Sequence, residues 1–286
     1  MTLSRSELTR LIAENGITPS RALGQNFVAD ANTVRRVAAL AGVGPGDRVL
    51  EVGAGLGSLT LALAETGASV TAVERDRWLV PVLRQVLAEK SAAPVTVVEG
   101  DAMNLDWAAL LVPPEGWALV ANLPYNVATP LVADLLDNVP AVERMTVMVQ
   151  REVAERLVAG PGSRAYGAVS VKVAYWAEAT LLATVPSSVF VPKPRVGSAL
   201  VGIRRRATPA VETSLVRPDQ LFPVVRAGFA QRRKMLRRAL AGLELRPGVF
   251  EEAGVDGEMR AEQLSVADWG RLAAAIVGEP RPARAG

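Results

Sequence analysis

Apolar residues recur at helical spacing from the start of the chain. Leu8, Leu11 and Ile12 follow a capping box of Ser4 and Glu7, and Asn15-Gly16 stops the run, which predicts a short N-terminal helix. A loop from Pro19 to Asp30 leads to Val34, Val37, Ala38 and Ala41, the buried face of a second helix ending at Gly42. From Arg48 the pattern shortens to apolar runs separated by helical stretches: Arg48–Val52, Ser69–Val73, Val95–Glu99, Ala118–Ala121 and Met145–Gln150. Strands alternating with helices predict an α/β fold with a parallel, doubly wound sheet. Glu178–Val185 and Ser198–Arg204 read as a closing antiparallel pair, while Tyr166–Tyr175 is β-branched enough for a strand and long enough for a helix.

Near Arg206–Pro218 the pattern becomes irregular, and beyond it only helical periodicity remains. The expected domains are therefore 1–206, carrying the sheet and an N-terminal helical extension, and 207–286, small and all-helical. The tail Glu279–Gly286, rich in Pro, Arg and Ala, reads as disordered.

With 286 residues, half of them hydrophobic, the chain has material for one large core and a smaller one. No apolar run approaches the roughly 20 residues that span a bilayer, and Met1–Arg10 is polar, so a cytoplasmic chain without membrane attachment is expected. Cysteine and histidine are both absent. That excludes disulfides, thiolate nucleophiles, histidine general bases and Cys/His zinc sites, and no metal is expected. The net charge of +3 says little, and a preponderance of arginine is what a GC-rich genome produces, so only local clustering bears on nucleic acid.

The first strand runs into Gly53-Ala54-Gly55-Leu56-Gly57, a turn where glycines let backbone pass close to a bound nucleotide. Dinucleotide oxidoreductases share such turns. The next strand ends at Glu74, placed to accept hydrogen bonds from ribose hydroxyls, and the third at Gly100-Asp101-Ala102, where a carboxylate suits the amino group of an adenine. The fourth ends in Asn122-Leu123-Pro124-Tyr125-Asn126. Adenine N6 is a poor nucleophile because its lone pair is delocalised into the ring. Were the Asn122 side-chain oxygen and the Leu123 carbonyl to accept its two hydrogens, the nitrogen could turn tetrahedral and take a methyl group. Pro124 stiffens the turn and Tyr125 offers a flat face for the base.

These motifs, with Gly24-Gln25-Asn26-Phe27 and Glu74-Arg75-Asp76, stand in the order that characterises the rRNA adenine N6,N6-dimethyltransferase family, which the chain resembles over roughly residues 20 to 240. Gln150–Arg156, Pro161–Gly167 and Val189–Val196 look like the family's small-subunit members. The resemblance implies a Rossmann-like class I S-adenosylmethionine-dependent methyltransferase. Its cofactor residues would be Asn26, Val28, Gly53, Glu74, Asp101 and Asn122, with Gly55 and Ala102 on the same turns, and Phe190 would face Tyr125 across the flipped adenine. The implied substrate is a pair of adjacent adenosines in a hairpin near the 3′ end of 16S rRNA, within the small ribosomal subunit, and a monomer is expected. Departures are mild: Val28 is often leucine, and Val127-Ala128-Thr129 replaces a commoner Ile-Ser-Thr.

Arg226, Arg232, Arg233, Lys234, Arg237 and Arg238 form an acid-free basic segment. On a helix, Val225, Phe229, Leu236 and Leu240 would face the core and leave much of the charge for RNA phosphates. Two other readings stay open at this level: a large-subunit rRNA methyltransferase conferring antibiotic resistance, and a non-catalytic RNA-binding, assembly or transcription factor on the same fold.

Overall fold

In the computed structural model, which describes residues 2–20, 23–91, 93–113, 115–124 and 127–278, the Ser4–Glu7 capping box closes as expected. The Ser4 amide donates to the Glu7 carboxylate at 2.8 Å, and the Glu7 amide returns a bond to the Ser4 hydroxyl at 3.3 Å. Helix α1 (Arg5–Glu14) follows, then strand β1 (Phe27–Val28) and helix α2 (Ala31–Ala41), which ends on Gly42 in the left-handed region. The alternating stretch comprises β2 (Arg48–Val52), α3 (Ser58–Glu65), β3 (Ser69–Glu74), α4 (Leu79–Lys90), β4 (Val95–Glu99), α5 (Trp107–Leu110), β5 (Trp117–Asn122), α6 (Ala128–Asn138) and β6 (Val142–Gln150). Then come α7 (Arg151–Val158), α8 (Ala168–Trp176), β7 (Ala177–Val185), β8 (Phe190–Val191) and β9 (Ser198–Arg205), followed by α9 (Pro218–Ala230), α10 (Leu236–Ala239), α11 (Val249–Ala253) and α12 (Val266–Val277).

Seven strands form one sheet in the order β4-β3-β2-β5-β6-β9-β7. The β2/β3, β3/β4, β2/β5 and β5/β6 pairs are parallel and β6/β9 is antiparallel. The chain leaves β2 toward β3 and β4 on one side and returns to β5 on the other, so the order reverses between β2 and β5. Ligands bind at the carboxyl ends of strands flanking such a reversal. A separate two-stranded antiparallel sheet pairs Phe27 with Val191 and Val28 with Phe190. Residues 27 and 28 fall inside the stretch expected to be loop, because a two-residue strand is too short to leave a periodicity.

By its contacts the chain divides into two compact units, 1–155 with 179–205, and 156–178 with 206–286. The expected division at 206/207 therefore needs correction for residues 156–178. The ambiguous Tyr166–Tyr175 stretch is mostly helix α8, and Tyr166, Val171 and Tyr175 are buried in one cluster with Phe222, Leu236, Leu264 and Trp269 of the helical unit. The Tyr166 hydroxyl donates to the Leu264 carbonyl at 2.9 Å, and its ring meets Phe229 edge-on at 5.9 Å. Burial of this face outweighs the strand preference of the β-branched residues.

The sheet unit holds α6 by its last turn. Arg205 donates to the carbonyls of Leu135 (2.9 Å) and Leu136 (2.9 Å) in that turn, of Val139 (3.3 Å) just after it and of Val142 (3.2 Å) at the start of β6. Arg205→Ala is expected to lower unfolding free energy by about 2–3 kcal/mol, since bonds to a charged donor are worth about 1.5–3 kcal/mol net and some carbonyls regain water. Lysine, a single point charge without the planar fork, should recover less than half of this in urea unfolding. Equal stability of wild type and alanine variant would rule out the clamp.

Candidate cofactor and catalytic site

The carboxyl ends of β2, β3, β4 and β5 open on one cavity, placed where open α/β sheets bind small molecules. Asn26, Val28, Gly53, Gly55, Glu74, Asp101, Ala102 and Asn122 all line it, so one cavity gathers every residue expected to touch a cofactor. At its floor the turn after β2 carries Gly53, Gly55 and Gly57 at φ +76°, +58° and +88°, a region L side chains rarely occupy. A Cβ on Gly55 would also stand 3.1 Å from the Phe27 ring.

Glu74 organises this turn. One carboxylate oxygen accepts the Gly55 amide at 2.7 Å and the other the Asp76 amide at 2.8 Å. Burial pushes its pKa up and these backbone bonds push back. Asp101 accepts the Met103 amide at 3.1 Å and faces the Arg75 guanidinium at 3.3 Å. The loop before β1 is tied to the same rim by Gln25, whose amide donates to Asp76 at 2.8 Å.

Asn122 donates its side-chain amide to the Asn26 carbonyl at 3.1 Å. That bond settles the orientation of the carboxamide, because its nitrogen must face a carbonyl, and it leaves Oδ1 as an acceptor in the cavity wall. The Leu123 amide is held by the Met148 carbonyl at 3.0 Å, and the Pro124 carbonyl accepts Val127 and Ala128, both at 3.0 Å, to start α6. Pro124 lines the cavity, and the Leu123 side chain is buried behind it. Tyr125 and Asn126 lie outside the described residues.

Phe190, expected to face Tyr125, is described where Tyr125 is not. It is 2% exposed, does not line the cavity, and packs in a cluster with Val28, Met148, Val185 and Leu200. It pairs with Val28, a residue of the cavity wall, across the small sheet.

Glu51 and Ser58 line the cavity without having been singled out from the sequence. Glu51 is 1% exposed and Ser58 7%, and one Glu51 carboxyl oxygen and the Ser58 hydroxyl are buried with no hydrogen-bond partner among the described residues. Burial, with the Glu74 carboxyl adding to it, pushes Glu51 up from 4.5 to about 8; the nearby Thr60 hydroxyl eases this without reaching hydrogen-bond geometry. Between pH 4.5 and about 8 the folded chain thus holds a proton that the unfolded chain has lost, and stability falls as pH rises. Glu51→Gln should therefore raise Tm increasingly from pH 5 to 8. A Tm difference independent of pH would contradict the shift.

The basic segment is not one helix. Helix α9 ends at Ala230, a turn carries Gln231 to Lys234, and α10 restarts at Leu236. Val225, Leu236 and Leu240 are buried and Phe229 partly so, as the spacing implied. Arg232 is tied to Glu262 at 2.6 Å and to the Arg164 carbonyl at 2.6 Å, and Arg237 to Glu258 at 3.0 Å. Arg226, Arg233, Lys234 and Arg238 are exposed, with no ion-pair partner among the described residues.

Residues 18–277 match the model of a family described as ribosomal RNA adenine dimethylase. The chain belongs to that family. A protein of Kineococcus radiotolerans named ribosomal RNA small subunit methyltransferase A is 49% identical over 98% of this chain and 94% of its own length. One of the same name from Magnetococcus marinus is 46% identical over 92% of this chain and 94% of its own. Among solved structures, the 23S rRNA methyltransferase ErmE shares 28% identity with a TM-score of 0.66, over 88% of this chain and all but 1% of its own. A dimethyladenosine transferase from Plasmodium falciparum, 24% identical over 85% of this chain and 94% of its own, has the same fold at a TM-score of 0.71. Family membership thus places the Asn122–Pro124 turn, beside the cavity, in a ribosomal RNA adenine dimethylase.

Proposed function

We propose that the chain dimethylates N6 of two adjacent adenosines in a hairpin near the 3′ end of 16S rRNA, within the small ribosomal subunit, with S-adenosylmethionine as methyl donor. The orientation of Asn122 carries this reading: its side-chain oxygen is the acceptor that an adenine amino group needs, and Asn122 lines the cavity. Relatives named for the small subunit reach 49% identity, against 28% for the large-subunit enzyme, which favours the small-subunit substrate.

The cavity suits the cofactor. Glu74 would hold the ribose hydroxyls and Asp101 the adenine amino group, while the buried, unpartnered Glu51 oxygen and Ser58 hydroxyl suit a cationic, polar amino-acid end. When bound, S-adenosylmethionine supplies an electrophilic methyl group. In the first transfer Asn122 Oδ1 and the Leu123 carbonyl accept the two amino hydrogens, and in the second one of them accepts the single hydrogen left, which draws the N6 lone pair out of conjugation. Once methylated, N6 is strongly acidic and loses one of its hydrogens as a proton to water, so no histidine is required. Val28, backed by Phe190, would limit the depth of the pocket, and Arg226, Arg233, Lys234 and Arg238 would meet phosphates.

Methyl transfer from labelled cofactor to small and large subunits of an unmodified strain, followed by nucleoside analysis, tests the reading. Dimethyladenosine is expected in 16S rRNA. Label confined to large subunits would replace the substrate assignment.

A further inference from the structure

One aromatic side chain on the sheet unit is left open to solvent. Of the five tryptophans, Trp78 is the exposed one, at 73%. Its indole lies under the Arg77 guanidinium, 4.9 Å from the ring centroid, with Arg75 and Arg84 exposed nearby in sequence. Its place is fixed by the cavity rim: Arg75 and Leu79, on either side of the Arg77-Trp78 pair in sequence, both line the cavity, while Trp78 itself does not. It also occupies the N-cap position of α4, where Ser, Thr, Asp or Asn is favoured, and makes no side-chain cap bond there. Neither packing nor capping accounts for it.

Charge around the ring is one-sided. Asp76 is engaged by the Trp78 amide and by Gln25, Glu74 is buried, and Glu89 bonds Gln85 further along the helix. Arg77 and Arg84 have no ion-pair partner among the described residues. A flat aromatic face beside unpaired guanidinium groups is how proteins hold single-stranded nucleic acid: bases stack on the ring and phosphates meet the cations.

We propose that Trp78, with Arg77 and Arg84, is a docking platform for a single-stranded stretch of the RNA substrate, at the rim of the cofactor cavity. The inference rests on the reading of ribosomal RNA as substrate and adds a contact on the catalytic unit to those expected of the helical one. Stacking on an exposed indole contributes roughly five- to a hundredfold in affinity.

The experiment uses the full-length protein and purified, unmodified small subunits, with methyl transfer by wild type measured first. Absence of transfer by wild type would overturn the substrate reading itself. Given transfer, Trp78→Ala should weaken subunit binding in the presence of S-adenosylhomocysteine, and raise KM for subunits, at least about fivefold. Affinity for S-adenosylhomocysteine alone should change less than twofold, and Trp78→Phe should recover most of the loss. Arg77→Ala/Arg84→Ala should flatten the dependence of log Kd on log salt by about 1.4 units, roughly 0.7 for each charge removed from a single-strand site. Subunit affinity of Trp78→Ala within twofold of wild type overturns the proposal. So does weakened binding of S-adenosylhomocysteine alone, which would make the ring part of the cofactor site.

Discussion

Asn122→Ala is expected to lower methyl transfer by about 10²- to 10³-fold in kcat, the usual cost of deleting one preorganised group aimed at developing charge. Binding of small subunits should stay within about threefold, because the side chain is uncharged and sits in the cavity wall. Asn122→Asp separates the two ends of the carboxamide. It keeps the acceptor but sets a carboxylate oxygen against the Asn26 carbonyl, where the amide now donates at 3.1 Å. The aspartate should therefore also be severely impaired. Single-turnover transfer with saturating cofactor reads both variants, and alanine turnover within fivefold of wild type would remove Asn122 from the chemistry.

Glu74→Gln should act on cofactor binding, at least thirtyfold in Kd by calorimetry. Both carboxylate oxygens already accept a backbone amide, from Gly55 and from Asp76. Glutamine must turn its NH₂ toward one of those donors, leaving it unpaired in a buried place and costing about 1–3 kcal/mol before any ribose contact is counted. Gly55 is the more exposed to this loss, since its backbone sits at φ +58° between the Glu74 oxygen and the Phe27 ring. A Kd within threefold of wild type would show that the carboxylate neither shapes the turn nor meets the ligand.

The alternating sheet and the order of its site-bearing strand ends are legible in the sequence, because β2, β3, β5 and β6 are largely buried apolar runs, the last three closing on Glu74, Asn122 and Gln150. The glycine turn, Glu74, Asp101 and Asn122 announce themselves as punctuation after those runs. Glu51 does not. It sits inside the apolar run of β2, one residue before its end, where a carboxyl leaves no mark on the pattern, and its unpartnered oxygen appears only in three dimensions. Phe190 marks another limit: an aromatic in a motif is a candidate surface for a base, while its packing beside Val28 appears only in three dimensions. The placing of residues 156–178 was equally hidden, since periodicity tells how a segment folds locally and is silent on which core its apolar face joins. In the basic segment the apolar spacing was right and the continuous helix was not, because the chain breaks between Ala230 and Leu236 without losing register with the core.

The small β1/β8 sheet has a consequence for the order in which the protein can be made. Asn26 and Val28, which border the cavity, sit at or beside a strand whose partner, Phe190–Val191, emerges from the ribosome some hundred and sixty residues later. The glycine turn and the ends of β2 to β5 are synthesised long before, yet the wall facing them has nothing to pair with until β8 arrives. A nascent chain can assemble much of the sheet early, as local α/β contacts form readily, but this pairing spans a long loop and closes late. Tight retention of a nucleoside is therefore a property that the growing chain acquires near the end of its catalytic half, and stalled or truncated products ending before Phe190 should carry a recognisable sheet with an open, low-affinity cavity.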